Sequence, residues 1–373
     1  MLLSSSKVFA SLLALPSAVF AQPHCKLSPL DAEWPSTEEW AALNTSIQGA
    51  LIKTAPAASS CYPGNPFGST ENCTIVKNYW SYAAYHSAWP ESVDYSIYTN
   101  NSCVPPGVAG YTEGRGCSIG ALPQYIVNAT TEEQVAKAMQ WASDRNIRMV
   151  VKGTGHDLSG RSTSASVMAC ACLQPHRGRC DHWSGNTWGS IYTAVHAIHR
   201  TVIGAEDATV GPGGLIQNGG HGLLSSHYGL ASDQAVRGGG GGQFGVVTEF
   251  VLKTYPVPAN VVTGSLSFYP NRLVKESELA SWDAFVETAR MIPDLMDSTI
   301  EPVWRRWAPD TGSYMNEGSA FSSTWKNDFY GENYDRLLAI KRKYDPNESL
   351  FIWSGVGSDT WTYDLRSGLL CRR

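Results

Sequence analysis

The residues best suited to chemistry sit in one run, Lys152-Gly153-Thr154-Gly155-His156-Asp157-Leu158-Ser159-Gly160-Arg161-Ser162. A glycine-rich turn lets backbone N–H groups approach an anionic diphosphate with no Cβ in the way. The run is not the dinucleotide fingerprint, because a G-x-G-x-x-G begun at Gly153 needs glycine where Leu158 stands. Nor is it a P-loop, since no G-K-S/T follows at the right distance. Taken alone it is equally an ordinary Gly/Ser turn, with His156 as a turn residue. Two more glycine clusters follow, Gly211 to Gly222 and Gly238 to Gly242, and Tyr314-Met315-Asn316-Glu317 lies far downstream. A different chemistry is offered by Cys170, Cys172, Cys180 and His182, whose C-x-C-x7-C-x-H spacing could hold zinc. Disulfides explain those cysteines as cheaply in an exported chain, and no metal is expected.

These residues need elements to position them. Gln124-Tyr125-Ile126-Val127 reads as a strand. Thr130 or Thr131 can cap a helix on which Val135, Ala138, Met139 and Ala142 follow helical spacing. Ile147 to Lys152 reads as a second strand, delivering the turn at Gly153. The five-glycine run is a flexible linker by composition. The apolar segment behind it, with a strand expected over Val246 to Leu252, argues instead for a constrained turn. A helix-like stretch at Ser281 to Ile292 and a helix over Tyr334 to Lys343, stopped by Pro346, come later. No repeat recurs at a fixed period.

The 373 residues are 43% hydrophobic and only 16% charged, enough for a sizeable core and against coiled coil or disorder. A net charge of −5 makes a basic nucleic-acid surface an unlikely default. Met1 to Phe20 reads as a secretory signal, with Lys7, an apolar Val8 to Phe20 and a cleavage site at Val19-Phe20-Ala21. Interrupted by Ser11, Pro16 and Ser17, that stretch is too short to cross ~30 Å of hydrocarbon. Nine cysteines agree with export, and disulfides are expected among the five up to Cys117. Asn44, Asn72, Asn100, Asn128 and Asn347 head N-x-S/T triplets open to glycans. The product is expected to be secreted.

Four blocks, in this order, carry a resemblance. They are VVKGTGHDLSGRS at 150–162, EDATVGPGGLIQNGGHGLLSSHYGLASDQ at 206–234, RGGGGGQFGVVTEFVLKTYPVPANV at 237–261, and GSYMNE at 312–317 with FYGENYDRLLAIKRKYDP at 329–346. The chain resembles the secreted fungal flavoprotein oxidases of the berberine-bridge-enzyme type, within the vanillyl-alcohol-oxidase fold. The resemblance implies an α+β protein: a PCMH-type FAD-binding domain of two α/β subdomains, with a shortened substrate domain. It implies that Gly153, Thr154, Gly155, Asp157, Ser159 and Gly160 cradle the FAD diphosphate. His156 maps onto the histidine that bonds the flavin methyl carbon. Some members add a second link through a Cys-Pro-Thr-Val-Gly cysteine. Here Asp207-Ala208-Thr209-Val210-Gly211 stands instead, so no second cysteinyl link is expected. Gly211, Gly214, Gly219, Gly220, Gly222, Gly245 and Val247 would pack against the cofactor. His221 would touch it or satisfy its own loop. Tyr314 is the expected proton acceptor, or else a packed aromatic, and Asn316 would face flavin or substrate.

The pattern breaks in three places. After Ser166, where the family continues with an apolar strand, the chain reads Met168-Ala169-Cys170-Ala171-Cys172-Leu173-Gln174-Pro175. At Gln234-Ala235 strands are skipped, and residues 256–311 are too few for a six-stranded substrate domain, which needs roughly 60 residues before any helix. The expected organisation is a signal peptide at 1–21, a Cys/Pro-rich segment at 22–118, the FAD-binding domain at 119–256, a substrate-domain remnant at 257–312 and a C-terminal segment at 313–373 returning to the flavin. The expected function is hydride transfer from a small alcohol, sugar or secondary metabolite to FAD, then to dioxygen. Small-molecule substrate and dioxygen are the expected partners, with no nucleic acid or membrane, and the chain is expected to be a monomer. The competing classes are a truncated, inactive relative that binds flavin poorly or not at all, and an aromatic-rich carbohydrate-binding protein.

Overall fold

The computed structural model describes residues 25–164, 167–171, 186–230, 239–258, 282–283, 314–318, 321–364 and 368–373. The expected signal segment, the bulk of the 257–312 remnant and all but two residues of the Ser281 to Ile292 stretch lie outside them. Helix α1 (Thr37–Ser46) begins at a capping box between Ser36 and Glu39 and leads to strand β1 (Leu51–Lys53). Short helices α2 (Cys73–Tyr79) and α3 (Ala83–Ala88) follow, in a segment stapled by disulfides Cys61–Cys73 and Cys103–Cys117. Cys25, expected to pair among the first five cysteines if at all, pairs with Cys371. The reason is spatial, because Cys25 and Cys371 bridge as adjacent antiparallel backbone.

The strand–helix–strand unit expected from sequence is present as β2 (Tyr125–Asn128), α4 (Glu132–Asp144) and β3 (Arg148–Lys152). Thr131 is the cap: its hydroxyl accepts from the Gln134 N–H at 3.2 Å, and the Gln134 side chain accepts back from Thr131. Val135, Ala138 and Ala142 bury one stripe of α4 against Trp40, Leu43 and Ile47 of the α1 region and Val127 and Met149 of the sheet. Strand β4 (Val167–Ala171) runs between β2 and β3, parallel to both, giving the order β1-β2-β4-β3 with β1 antiparallel. This corrects the expected loss of a strand after Ser166. Val-Met-Ala-Cys-Ala is apolar or small throughout, as a strand paired on both sides requires.

Side chains alternate across β3. Met149 and Val151 join the α1–α4 core, while Arg148 and Lys152 are buried on the other face. Arg148 is held between the rings of Phe351 and Tyr363, at 4.4 and 4.6 Å. Lys152 Nζ donates to the carbonyls of Trp89, Pro90 and Ser92 at 2.7, 3.3 and 2.6 Å. One strand thus grips the C-terminal segment with its first residue and the N-terminal segment with its last.

A second core gathers α5 (Trp188–His196), β5 (Arg200–Thr201), α6 (Pro212–Asn218), α7 (Ser225–Tyr228) and β6 (Tyr255–Pro256). Trp188, Ile191, Leu215, Ile216 and Phe250 are its buried centre. The segment Val246 to Leu252 is not a strand, contrary to expectation. Val247, Phe250 and Leu252 still pack on that core, but only Tyr255–Pro256 pairs, with β5. Apolar burial survives without a ladder partner among the described residues. Helices α8 (Trp325–Tyr330) and α9 (Tyr334–Tyr344) and the hairpin β7 (Trp361–Tyr363) to β8 (Leu370–Arg372) close the fold. Among the described residues no helix is long and apolar enough to cross a membrane.

Candidate functional site

The turn leaving β3 is built by its own polar residues. Asp157 Oδ1 accepts from the N–H groups of Ser159 and Arg161 at 3.0 and 2.9 Å, folding the loop back on itself. Its second oxygen pairs with Arg161 Nε at 3.2 Å. Burial pushes the Asp157 carboxyl up, and the Arg161 guanidinium opposes it. The rest of that guanidinium is unusual: Nη1 and Nη2 are buried with no hydrogen-bond partner among the described residues. Thr154 Oγ1 accepts from the Gly211 N–H at 2.9 Å, tying this turn to the start of α6.

Three further segments complete the enclosure. Helix α6 starts at Pro212 and stops at Gly219, which takes a left-handed conformation, φ 81°. The run 239–242 is a constrained turn, as expected: Gly242 has φ 69°, and a Cβ there would lie 3.0 Å from Val151 Cβ. Gln243 anchors it, donating to Gly239 O at 2.7 Å and accepting from the Val356 N–H at 2.5 Å. The turn at Tyr314–Gly318 is docked by Leu158 N–H to Asn316 O at 2.9 Å and Ser159 Oγ to Gly318 O at 2.7 Å. From there a polar chain runs inward. Asn316 donates to the Tyr314 hydroxyl at 2.9 Å and accepts from Asn218 at 2.8 Å, and Asn218 accepts from the Gly241 N–H at 2.9 Å.

Together these segments wall a cavity of about 310 Å³. Of the residues expected from sequence, Gly153, Thr154, Gly155, His156, Asp157, Gly211, Gly214, His221, Gly245, Val247, Tyr314 and Asn316 line it. Ser159, Gly160, Gly219, Gly220 and Gly222 do not: Ser159 is bonded to Gly318 O, Gly219 ends α6, and packing accounts for the other three. A Cβ on Gly160 would strike the Tyr98 ring, one on Gly220 would come 2.8 Å from the Tyr314 hydroxyl, and one on Gly222 would overlap Gly204 O. Sequence reasoning passed over Arg161 and Glu317 on the wall. The signal for Arg161 was available, four residues after Asp157 in the same loop.

The electrostatics separate the candidates. Burial lowers His156, with Asp207 and Asp94 opposing it. Partial burial alone would raise Asp207; hydrogen bonds from the Thr209 N–H and hydroxyl, with His156, hold it below the usual carboxylate range. Burial pushes the Tyr314 phenol up, so it stays protonated at neutral pH. That suits a hydrogen-bond donor better than the proton acceptor expected from sequence. His221 Nε2 lies 3.3 Å from the Glu317 carboxylate, and its ring stands edge-on to Tyr314 at 5.8 Å. Among the described residues no cluster of His, Cys, Asp or Glu could hold a metal ion. Cys172, Cys180 and His182 lie outside them.

Comparison with known proteins bears on this cavity. Residues 123–237 match the family described as FAD binding domain, and 313–352 match the one described as Berberine and berberine like. The chain is 24% identical to the FAD-linked oxidoreductase patO of Penicillium expansum, covering 94% of this chain and 95% of that protein. That alignment runs over 547 positions against 373 residues here, so at least 174 of them face no residue of this chain. The FAD-linked oxidoreductase apf9 of Gibberella fujikuroi is 33% identical over 70% of this chain, which spans about half (51%) of that relative. In fold, the chain is similar to the VAO-type flavoprotein MtVAO615 of Myceliophthora thermophila C1, with TM-score 0.72, 22% identity and coverage of 94% of this chain and 100% of that one.

The residues present fit an FAD. The two unpartnered Arg161 nitrogens on the wall call for an anionic oxygen. A Cβ at Gly153 or Gly245 would meet no atom within 4 Å, so both backbones face open cavity where a ring or a phosphate can come close.

Proposed function

The chain belongs to the berberine-bridge-like FAD-linked oxidoreductases of the vanillyl-alcohol-oxidase fold, and from that premise we propose that it is a secreted oxidase of a small alcohol, sugar or secondary metabolite, with FAD attached through His156 alone. The observation that carries this reading is the cavity itself, where a glycine turn, the Asp157-paired Arg161 with two nitrogens unbonded among the described residues, and His156 converge. FAD, when bound, accepts a hydride and passes two electrons to dioxygen. Arg161 would hold an anionic oxygen of the cofactor. Tyr314, which keeps its proton, would donate a hydrogen bond to the substrate oxygen and fix its direction. His221, oriented by Glu317, accepts the proton that the substrate hydroxyl loses. Asn316 and Asn218 brace Tyr314 from behind.

A second reading, a shortened relative that holds flavin poorly, is supported by the unmatched positions in the alignment to the Penicillium relative. One preparation decides between them. The purified protein should be yellow, keep its colour in the polypeptide after acid precipitation, and consume dioxygen with one member of a panel of alcohols and sugars. A colourless protein that does not take up added FAD would sink the oxidase reading in favour of the second.

A further inference from the structure

His156 reaches from the first glycine turn to the segment before α6. Its Nε2 lies 2.8 Å from Thr209 Oγ1, which lies 2.7 Å from Asp207 Oδ1. The same carboxylate oxygen accepts from the Thr209 N–H at 2.7 Å. Thr209 has a single hydroxyl proton, and an ionised carboxylate only accepts. The short contact to Asp207 therefore commits that proton to the carboxylate. Pointing it at His156 instead would leave two acceptor oxygens facing each other at 2.7 Å. Thr209 Oγ1 can then only accept from the ring, so Nε2 carries the imidazole proton and Nδ1 carries the free lone pair.

We propose that Asp207 and Thr209 form a positioning relay that fixes His156 in its Nε2–H tautomer, making Nδ1 the atom that bonds the flavin. This rests on the reading above that attachment runs through His156. In that step the Nδ1 lone pair forms a bond to the methyl carbon, and one methyl C–H bond breaks, its proton going to solvent. The ring nitrogen becomes cationic as the bond forms, and the relay sets the Asp207 charge against it. Loss of the Nε2 proton returns the imidazole to neutrality. The two electrons left on the flavin, with two protons, reduce dioxygen to hydrogen peroxide. A turn closed by Asp207 would need only the Thr209 N–H; the hydroxyl link to His156 is what extends it to the site.

Three variants and two readouts test this. Flavin-free protein carrying ¹⁵N-histidine reports the tautomer of His156 by NMR, and FAD added to it reports attachment as acid-stable flavin over time. The native ring should be protonated at Nε2. Thr209→Val, which keeps the shape and loses the hydroxyl, should give mixed tautomers and attach flavin about tenfold more slowly or worse. Thr209→Ser should restore both to within about twofold, by supplying the same hydroxyl. A native ring protonated at Nδ1, or Thr209→Val attaching at the native rate, overturns the relay. His156→Ala separates the two ideas. Acid-stable flavin in that variant overturns attachment through His156 and the relay with it, whereas its loss beside a native-rate Thr209→Val overturns the relay alone. If Thr209→Val does not fold, the native tautomer still decides.

Discussion

Two buried cations on β3 and its turn have opposite situations. Lys152 has three carbonyl partners, whereas Arg161, paired with Asp157 through Nε, keeps two buried nitrogens without a hydrogen bond among the described residues. Burial lowers Lys152 to about 7, with Glu91 opposing. An unfolded lysine titrates near 10.4. Between about pH 7 and 10 the unfolded chain holds a proton that the folded chain has released, so this group makes stability rise with pH there. Below pH 7 both states are protonated and its contribution to the slope vanishes. Lys152→Met should remove that rise, seen in denaturant midpoints across the window, and lower stability by about 1–3 kcal/mol at pH 7 through the orphaned carbonyls. Arg161→Met should lower stability by about 3–5 kcal/mol by leaving the buried Asp157 carboxylate unpaired, and weaken retention of non-covalent FAD about tenfold or more by loss of a charge-assisted bond. Titrating FAD fluorescence in the His156→Ala background measures it. His221→Gln should lower kcat by about 10²-fold or more while the flavin colour stays.

At the scale of elements, the glycine segments divide into two kinds. Gly242→Ala should cost about 1–3 kcal/mol, because a positive φ and the Val151 side chain both oppose a Cβ. Gly245→Ala, whose Cβ would meet nothing within 4 Å, should leave the melting temperature unchanged and reduce flavin uptake by projecting into the cavity. Sequence cannot separate the two glycines, since one is constrained by a residue almost a hundred positions away. What was legible is what short-range physics sets: β2, α4 and β3 follow from alternation, helical spacing and the Thr131–Gln134 box. Strand β4 was hidden because Met-Ala-Cys-Ala has no alternation, which only pairing on both sides explains. Val246 to Leu252 misled for the converse reason, an apolar run without neighbouring strands among the described residues. His156, Tyr314 and Asn316 were found through motif order. Arg161 became a candidate only once burial left its nitrogens without partners.

For the molecule as a whole, the ends of the described chain are held together. Cys25 and Cys371 are 346 positions apart and joined, with Lys26 donating to Asn146 at 3.0 Å and to Asn347 O at 2.5 Å alongside. Closing so long a loop constrains the unfolded state strongly. The double variant Cys25→Ser, Cys371→Ser should lose up to about 5 kcal/mol, read from the denaturant midpoint without reductant. The bond also imposes a schedule. Cys25 leaves the ribosome 346 residues ahead of Cys371. At roughly 5–20 residues per second, its thiol waits on the order of twenty to seventy seconds for a partner, while nearer cysteines emerge within reach. The native pairing can therefore form only after Cys371 has emerged, by direct closure or by reshuffling of an earlier bond.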